Sequence, residues 1–250
     1  MIRKKKGERL MKILIVNDDS IHAPGIELLA KAAMQLGEVT VVAPARQCSA
    51  MSQKITIRGA LIAKRVGDFP VPVEAWQVEG TPADCVKAAV HSILEEKPDW
   101  VFSGVNAGWN AGFDIAHSGT LGAAFEAAMY GIPAAAFSNA HGASLDLVEK
   151  YLTDIAKELI AAQPPAGAVW NVNFPGCAEE ELKGVLRERF VAPAPLFREW
   201  YVPSPQPDGS VRLEIAGQPI RDPQGVPAGS DLEAVLRGYI SIGPVRCTVL

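Results

Sequence analysis

Residues Lys12 to Pro44, KILIVNDDSIHAPGIELLAKAAMQLGEVTVVAP, decide the fold. Lys12–Asn17 is a short apolar run of the kind that forms a strand buried on both faces. Pro24 suits a first helical turn, and Ile26, Leu28, Leu29, Ala32, Ala33 and Leu36 fall on one broad helical face until Gly37 stops it. Val39–Pro44 is again apolar and β-branched. Strand, helix and strand in this order make a βαβ unit, and such units build parallel sheets covered by helices.

Downstream of this stretch the alternation continues. Thr81 and Pro82 look like an N-cap and first helical residue, with Asp84 in the first turn and a helix running to about Glu96. Asp99–Gly104 predicts a third strand and Thr120 to about Tyr130 a helix. Strand Ala134–Phe137, helix Leu145–Ala162 and strand Ala168–Asn173 follow, and YISIGPV (239–245) is a last strand after a short helix capped by Ser230 and Asp231. Residues 54–79 hold β-rich runs and prolines, the pattern of a hairpin insertion. Residues 190–228 are rich in Pro and aromatics, show no helical or strand face, and predict an extended arm. The expected architecture is α/β: a Rossmann-like three-layer sandwich on a mostly parallel sheet, with a hairpin insertion and a C-terminal arm. In domain terms, residues 1–10 are expected to be a disordered extension and 11–250 a single domain. Its core spans about 11–189, an oligomerisation arm about 190–228, and a closing helix and strand 229–250.

Composition narrows the function. With 48% hydrophobic residues and a net charge of −4, the chain supports a large core and no basic nucleic-acid face. The four cysteines form no CxxC pair, as expected of reduced thiols in a cytoplasmic protein. The apolar run after the basic N-terminus is too short for a signal peptide, and no stretch reaches the roughly 18 apolar residues of a membrane span.

In an open α/β sheet, ligands bind beyond the C-terminal strand ends. Asp18 and Asp19 sit where the first strand ends, Ser49 follows the second, and Asn106 follows the third. Adjacent carboxylates at a buried strand end repel unless a cation or proton lies between them. Two carboxylates, a hydroxyl and an amide oxygen form an all-oxygen set suited to Mg²⁺ or Mn²⁺, and also to Ca²⁺. SGVNAGWNAGFDIAHSGTLGAA (103–124) has the composition of an anion cradle, with Ser118, Gly119 and Thr120 opening a helix whose free N–H groups suit phosphate. Asn110 is read either as a phosphate contact or as a turn residue, and Ser118 as a phosphate contact or an N-cap. The loop matches neither GxxxxGKS nor GxGxxG, and the chain has no GxSxG elbow.

Together NDDSIHAPGI, ARQCSAMSQKITI, VEGTPADCV, PDWVFSGVNAGWNAGFDIAHSGTLGAAFEA, GIPAAAFS, NVNFP and GYISIGP resemble, in order, the SurE family of nucleotidases and acid phosphatases. The resemblance implies a metal-dependent 5′/3′-nucleotidase with one divalent cation per subunit held by Asp18, Asp19, Ser49 and Asn106. It implies a nucleoside monophosphate as substrate and a homodimer or homotetramer with exchanged C-terminal segments. Asp18, Asp19 and Asn106 are the expected catalytic residues, Asp19 being the first candidate to orient or deprotonate the attacking water. Asn110, Ser118, Gly119, Thr120 and Ser49 are the expected substrate contacts. Polyphosphate cleavage or a broad acid phosphatase at the same site is an alternative, and a non-catalytic nucleotide-binding protein is a weaker one. Four positions depart from the family pattern: Ser20 and Ala50 stand where glycine is usual, His117 where tyrosine is, and Gly243 where threonine is.

Overall fold

The computed structural model describes residues 9–198 and 201–247. Residues 1–8, most of the expected N-terminal extension, and the arm residue Trp200 lie outside the described residues. In chain order the elements are β1 (Lys12–Val16), α1 (Pro24–Ala33), β2 (Glu38–Pro44), β3 (Ala63–Arg65), β4 (Glu74–Val78), α2 (Pro82–Ala88), β5 (Trp100–Ala107), α3 (Gly119–Met129), β6 (Ala134–Asn139), α4 (Asp146–Ala162) and β7 (Ala168–Phe174). They continue as β8 (Val185–Leu186), β9 (Phe197–Arg198), β10 (Tyr201–Pro205), β11 (Val211–Ile215), β12 (Gln218–Pro219), α5 (Asp231–Leu236) and β13 (Ile240–Arg246).

The main sheet has the order β3-β4-β2-β1-β5-β6-β7-β13-β8. Pairings from β4 through β7 are parallel. The exceptions lie toward the edges, where β3 runs antiparallel to β4 and β13 antiparallel to β7. Central strands such as β1 and β6 are buried along nearly their whole length, which explains their unbroken apolar runs. One core layer packs α1 and α4 on one face through Ile26, Leu29, Leu152 and Ile155. The other packs α2 and α3 through Val86, Leu121 and Ala124. This is the three-layer α/β sandwich expected from the sequence.

The expected hairpin in residues 54–79 is present as the antiparallel pair β3–β4, and β4 also pairs in parallel with β2, burying Ala75 and Val78, so the hairpin extends the main sheet. Three local expectations need correction. The ITI run (55–57), read as β-rich, is exposed and irregular. The helix after Thr81 is regular only to Ala88 and then widens into a π turn over Ala89–Ile93. The arm does contain strands: β10 and β11 form a hairpin, and β9 pairs with β12. Its turn is held by Asp208, which accepts from the Ser210 N–H at 2.9 Å. Pro203 and Pro205 fit there because a two-stranded ribbon leaves one edge of each strand without ladder bonds.

Several buried polar groups tie loops to this frame. Asp84 accepts from the Thr56 N–H and hydroxyl, both at 2.8 Å, and from the Thr81 N–H at 3.0 Å. Burial alone would raise its pKa, yet these donors together hold it below the ordinary carboxylate range. Asp231 accepts from Ala192 and Gly112 N–H groups, joining the base of the arm to the 108–118 loop. No helix is long and apolar enough to cross a membrane among the described residues.

Candidate active site

The site is assembled where β1, β2 and β5 end. Asp18 stands one residue beyond β1, after Asn17, and is 3% exposed. Its backbone carbonyl accepts from the Cys48 N–H at 2.7 Å, which brings the loop after β2, with Ser49, alongside. Its carboxylate accepts from the Thr120 hydroxyl at 2.8 Å, which brings in the start of α3. Asp19 is partly exposed and accepts from the Ala107 N–H at 2.9 Å, which brings in the end of β5 and Asn106. Gln47 Nε2 lies 3.4 Å from Asp19 Oδ1 and 3.1 Å from Ser49 Oγ, so one amide group spans those two oxygens. Asn106 donates its Nδ2 to the Gly108 carbonyl at 2.8 Å, which leaves its amide oxygen for a ligand. The β5–β6 register shifts between Ser103 and Asn106, an irregularity that re-aims the strand end as bulges near active sites do.

Electrostatics single out Asp18. Burial raises its pKa to about 6; the Thr120 hydroxyl acts against this, and the neighbouring Asp19 charge adds to it. A buried carboxylate beside a second one is the environment that a divalent cation relieves. Among the described residues no group of three or more His, Cys, Asp and Glu side chains is placed to hold a metal. A cation at this point therefore depends on neutral oxygens beside the two carboxylates, and Ser49 and Asn106 are such oxygens. Hard cations accept that donor set.

The cradle is built into the start of α3. Ser118 is its N-cap: the hydroxyl accepts from the Leu121 N–H at 3.1 Å. Gly119 and Thr120 are the first two helical residues, whose N–H groups precede the first intrahelical bond and carry the positive end of the dipole. A side chain at Gly119 would put its Cβ 2.9 Å from Asp18 Oδ2 and 3.2 Å from the Cys48 carbonyl, so only glycine lets the helix end approach the carboxylate. Asn110 is buried and held through its N–H, its carbonyl and its Nδ2. Its N–H donates to Asn173 Oδ1 at 2.8 Å, its carbonyl accepts from Asn171 and Asn173, and its Nδ2 donates to Ser138 Oγ at 2.8 Å.

The structure thus brings Asp18, Asp19, Ser49 and Asn106 together and sets Gly119 and Thr120 against Asp18. It shows Ser118 as a cap and Thr120 as a hydrogen-bond partner of Asp18, and it holds Asn110 in a separate buried clamp at the ends of β6 and β7. Sequence reasoning missed Gln47 and the Asn171, Asn173 and Ser138 clamp. The signal for the clamp was in the sequence: Asn171 and Asn173 alternate at the end of a buried strand, where polar side chains on one face call for a partner.

The family departures have structural consequences. Ser20 and Ala50, each one residue after a proposed metal ligand, both have positive φ, 92° and 56°. That region suits glycine, and an L side chain there costs roughly 1–2 kcal/mol. At Gly243 a Cβ would stand 1.8 Å from the Arg189 carbonyl, so this chain has no room for the usual threonine. His117 is exposed and its carbonyl accepts from the Ser52 N–H at 3.0 Å.

Comparison with known proteins agrees with this architecture. The pattern of the family described as Survival protein SurE matches residues 13–192. The chain is 42% identical over 243 residues to the protein named 5′-nucleotidase SurE 1 of Thermus thermophilus, covering 94% of this chain and 91% of that one. It is 40% identical over 244 residues to 5′-nucleotidase SurE of Geobacter sulfurreducens, covering 94% of this chain and 88% of that one. The crystal structure of the SurE protein from Aquifex aeolicus superposes with a TM-score of 0.80 at 35% identity, covering 94% of this chain and 93% of that one. The chain belongs to the SurE family.

Proposed function

We propose that this protein is a divalent-cation-dependent phosphomonoesterase that cleaves nucleoside 5′- and 3′-monophosphates to nucleoside and phosphate. The carrying observation is that Asp18 sits against the first residues of α3 while Asp19, Ser49 and the end of β5 with Asn106 are tied in beside it, a donor set suited to a cation next to a helix start suited to an anion. The relatives named 5′-nucleotidase support the same substrate class. Asp18, Asp19, Ser49 and Asn106 would hold Mg²⁺ or Mn²⁺, with Ca²⁺ also compatible. Such a cation, when bound, supplies Lewis-acid stabilisation of phosphoryl oxygens and a more acidic water.

The chain's own groups do the rest. The N–H groups of Gly119 and Thr120 hold phosphate oxygens and stabilise charge that grows during in-line attack. Asp19, the more exposed carboxylate, orients the attacking water and accepts its proton as the P–O ester bond breaks, and solvent water returns that proton to the leaving nucleoside oxygen. Thr120 fixes the Asp18 carboxylate through its hydroxyl. Asn110, immobilised by its partners, keeps its side-chain oxygen for a substrate contact. Four free thiols support a reducing, cytoplasmic setting.

A panel of AMP, GMP, 3′-AMP and tripolyphosphate tests the substrate class. Phosphate release from the nucleotides is expected with kcat/KM at least about tenfold above tripolyphosphate. Equal or faster tripolyphosphate cleavage would move the reading to a polyphosphatase.

We also propose that residues 190–228 form an oligomerisation arm in a homodimer or homotetramer. Tyr201, Val211, Leu213 and Ile215 share one face of the β10–β11 hairpin and are exposed, Ile215 to 81%. Apolar groups projecting together on a ribbon favour burial against a second copy. Light scattering is expected to show at least a dimer, and deletion of residues 201–215 to reduce its mass. A well-folded monomer of the full chain would contradict this.

A further inference from the structure

A cavity of about 750 Å³ adjoins the candidate site. It lies among the Gly108–Trp109 turn, the loop after β6, the end of β7, the base of the arm and α5. Ala107 links the two regions. Its N–H donates to Asp19 Oδ2 at 2.9 Å, and its carbonyl accepts from Nδ1 of His141, a residue of the cavity wall, at 3.0 Å. Asn106, a proposed cation ligand, donates to the carbonyl of Gly108, which also lines the cavity. The proposed cation ligands Asp19 and Asn106 are therefore tied directly to the backbone that forms one wall of the cavity.

The wall is mainly apolar, with Trp109 and Phe197 as its aromatic members and Leu196 and Ile220 beside them. Trp109 is pinned by its Nε1–H, which donates to the Phe174 carbonyl at 2.7 Å. Arg221 and His141 are the groups in the lining that carry or can take a positive charge. A chain of phosphates would need a run of cations along its path, and this lining does not offer one. A flat, largely apolar ring system with a few acceptor atoms fits it: the size and chemistry are those of a small-molecule pocket, and aromatic faces stack on nucleobases.

We propose that this cavity seats the nucleoside of the substrate, the base against the Trp109 and Phe197 wall and Arg221 donating to its acceptor edge. The assignment rests on the phosphomonoesterase reading above, and it makes base and ribose recognition a property of the arm base and the 108–109 turn.

The test compares AMP with glycerol phosphate, an ester too small to fill the cavity, on the full-length chain. Phe197→Ala and Arg221→Ala are each expected to raise KM for AMP with little change in kcat, so that the AMP to glycerol phosphate ratio of kcat/KM falls about tenfold. Arg221 is exposed, so its variant serves if Phe197→Ala misfolds. An unchanged ratio in a folded variant would overturn the assignment. A change of assembly in light scattering with the ratio unmoved would give the cavity to a neighbouring copy and overturn it too. If the wild-type chain released phosphate from neither ester, the phosphomonoesterase reading itself would fall, and this assignment with it.

Discussion

Asp18→Asn is expected to lower kcat/KM for AMP by about a thousandfold or more, equivalent to roughly 4 kcal/mol of transition-state stabilisation. The substitution keeps the shape of the side chain and removes its charge. Asp18 is nearly fully buried and held by the Thr120 hydroxyl and, through its carbonyl, by the Cys48 N–H. An asparagine in the same place still has an oxygen for Thr120, so the fold is preserved. A cation, however, loses one of two carboxylates, and its affinity falls with the charge. Isothermal titration with Mn²⁺ and kinetics on the same sample check both effects.

A stability measurement separates this functional role from a structural one. A charge buried beside a like charge costs folding free energy. Replacing it by a neutral amide is therefore expected to leave the melting temperature of the metal-free protein unchanged or raised, as is common where an active site conflicts with stability. If Asp18→Asn instead melted much lower and kept near-normal turnover per folded molecule, Asp18 would be a structural residue and not part of the site.

How much of this was legible in the sequence varies with the physics involved. The βαβ frame was legible because buried parallel strands are unbroken apolar runs, as in β1 and β6, and because Pro24 and Pro82 mark helix starts. The site's location was legible for a related reason: Asp18 and Asp19 stand directly after an apolar strand, where charge has no structural use. The edges were harder. EAWQV mixes polar and apolar residues because β4 lies near the sheet's margin, and nothing local shows that it pairs with β2, far from it in the chain. The arm hairpin was hidden by its prolines, which suggest a chain without strands although a two-stranded ribbon accommodates them.

Within the site, residue types were legible and partnerships were not. The Gly-rich loop announced a close approach, but only the structure shows that Gly119 makes room for Asp18. Thr120 was placed correctly at the helix start, yet its hydroxyl turns to Asp18. Ser118 could be a phosphate contact or a cap from its position alone; its bond to the Leu121 N–H makes it the cap, at the same helix end where a phosphate would sit. Ser20 and Ala50 were conspicuous against the family pattern, and their positive φ values show that the chain kept the backbone shape without the glycines.

The central claim is that an all-oxygen cation site at Asp18, Asp19, Ser49 and Asn106 is required for phosphomonoester hydrolysis. The most direct test is phosphate release from AMP by the full-length protein before chelation, after thorough chelation and dialysis, and after adding back Mn²⁺ or Mg²⁺. Chelation is expected to remove at least about 99% of the rate, the loss that follows when a Lewis acid worth several kcal/mol is withdrawn, and either cation is expected to restore it. A monovalent cation is expected to restore little, since two adjacent carboxylates call for a divalent charge. Full activity in protein shown by elemental analysis to be free of divalent metal would contradict the account.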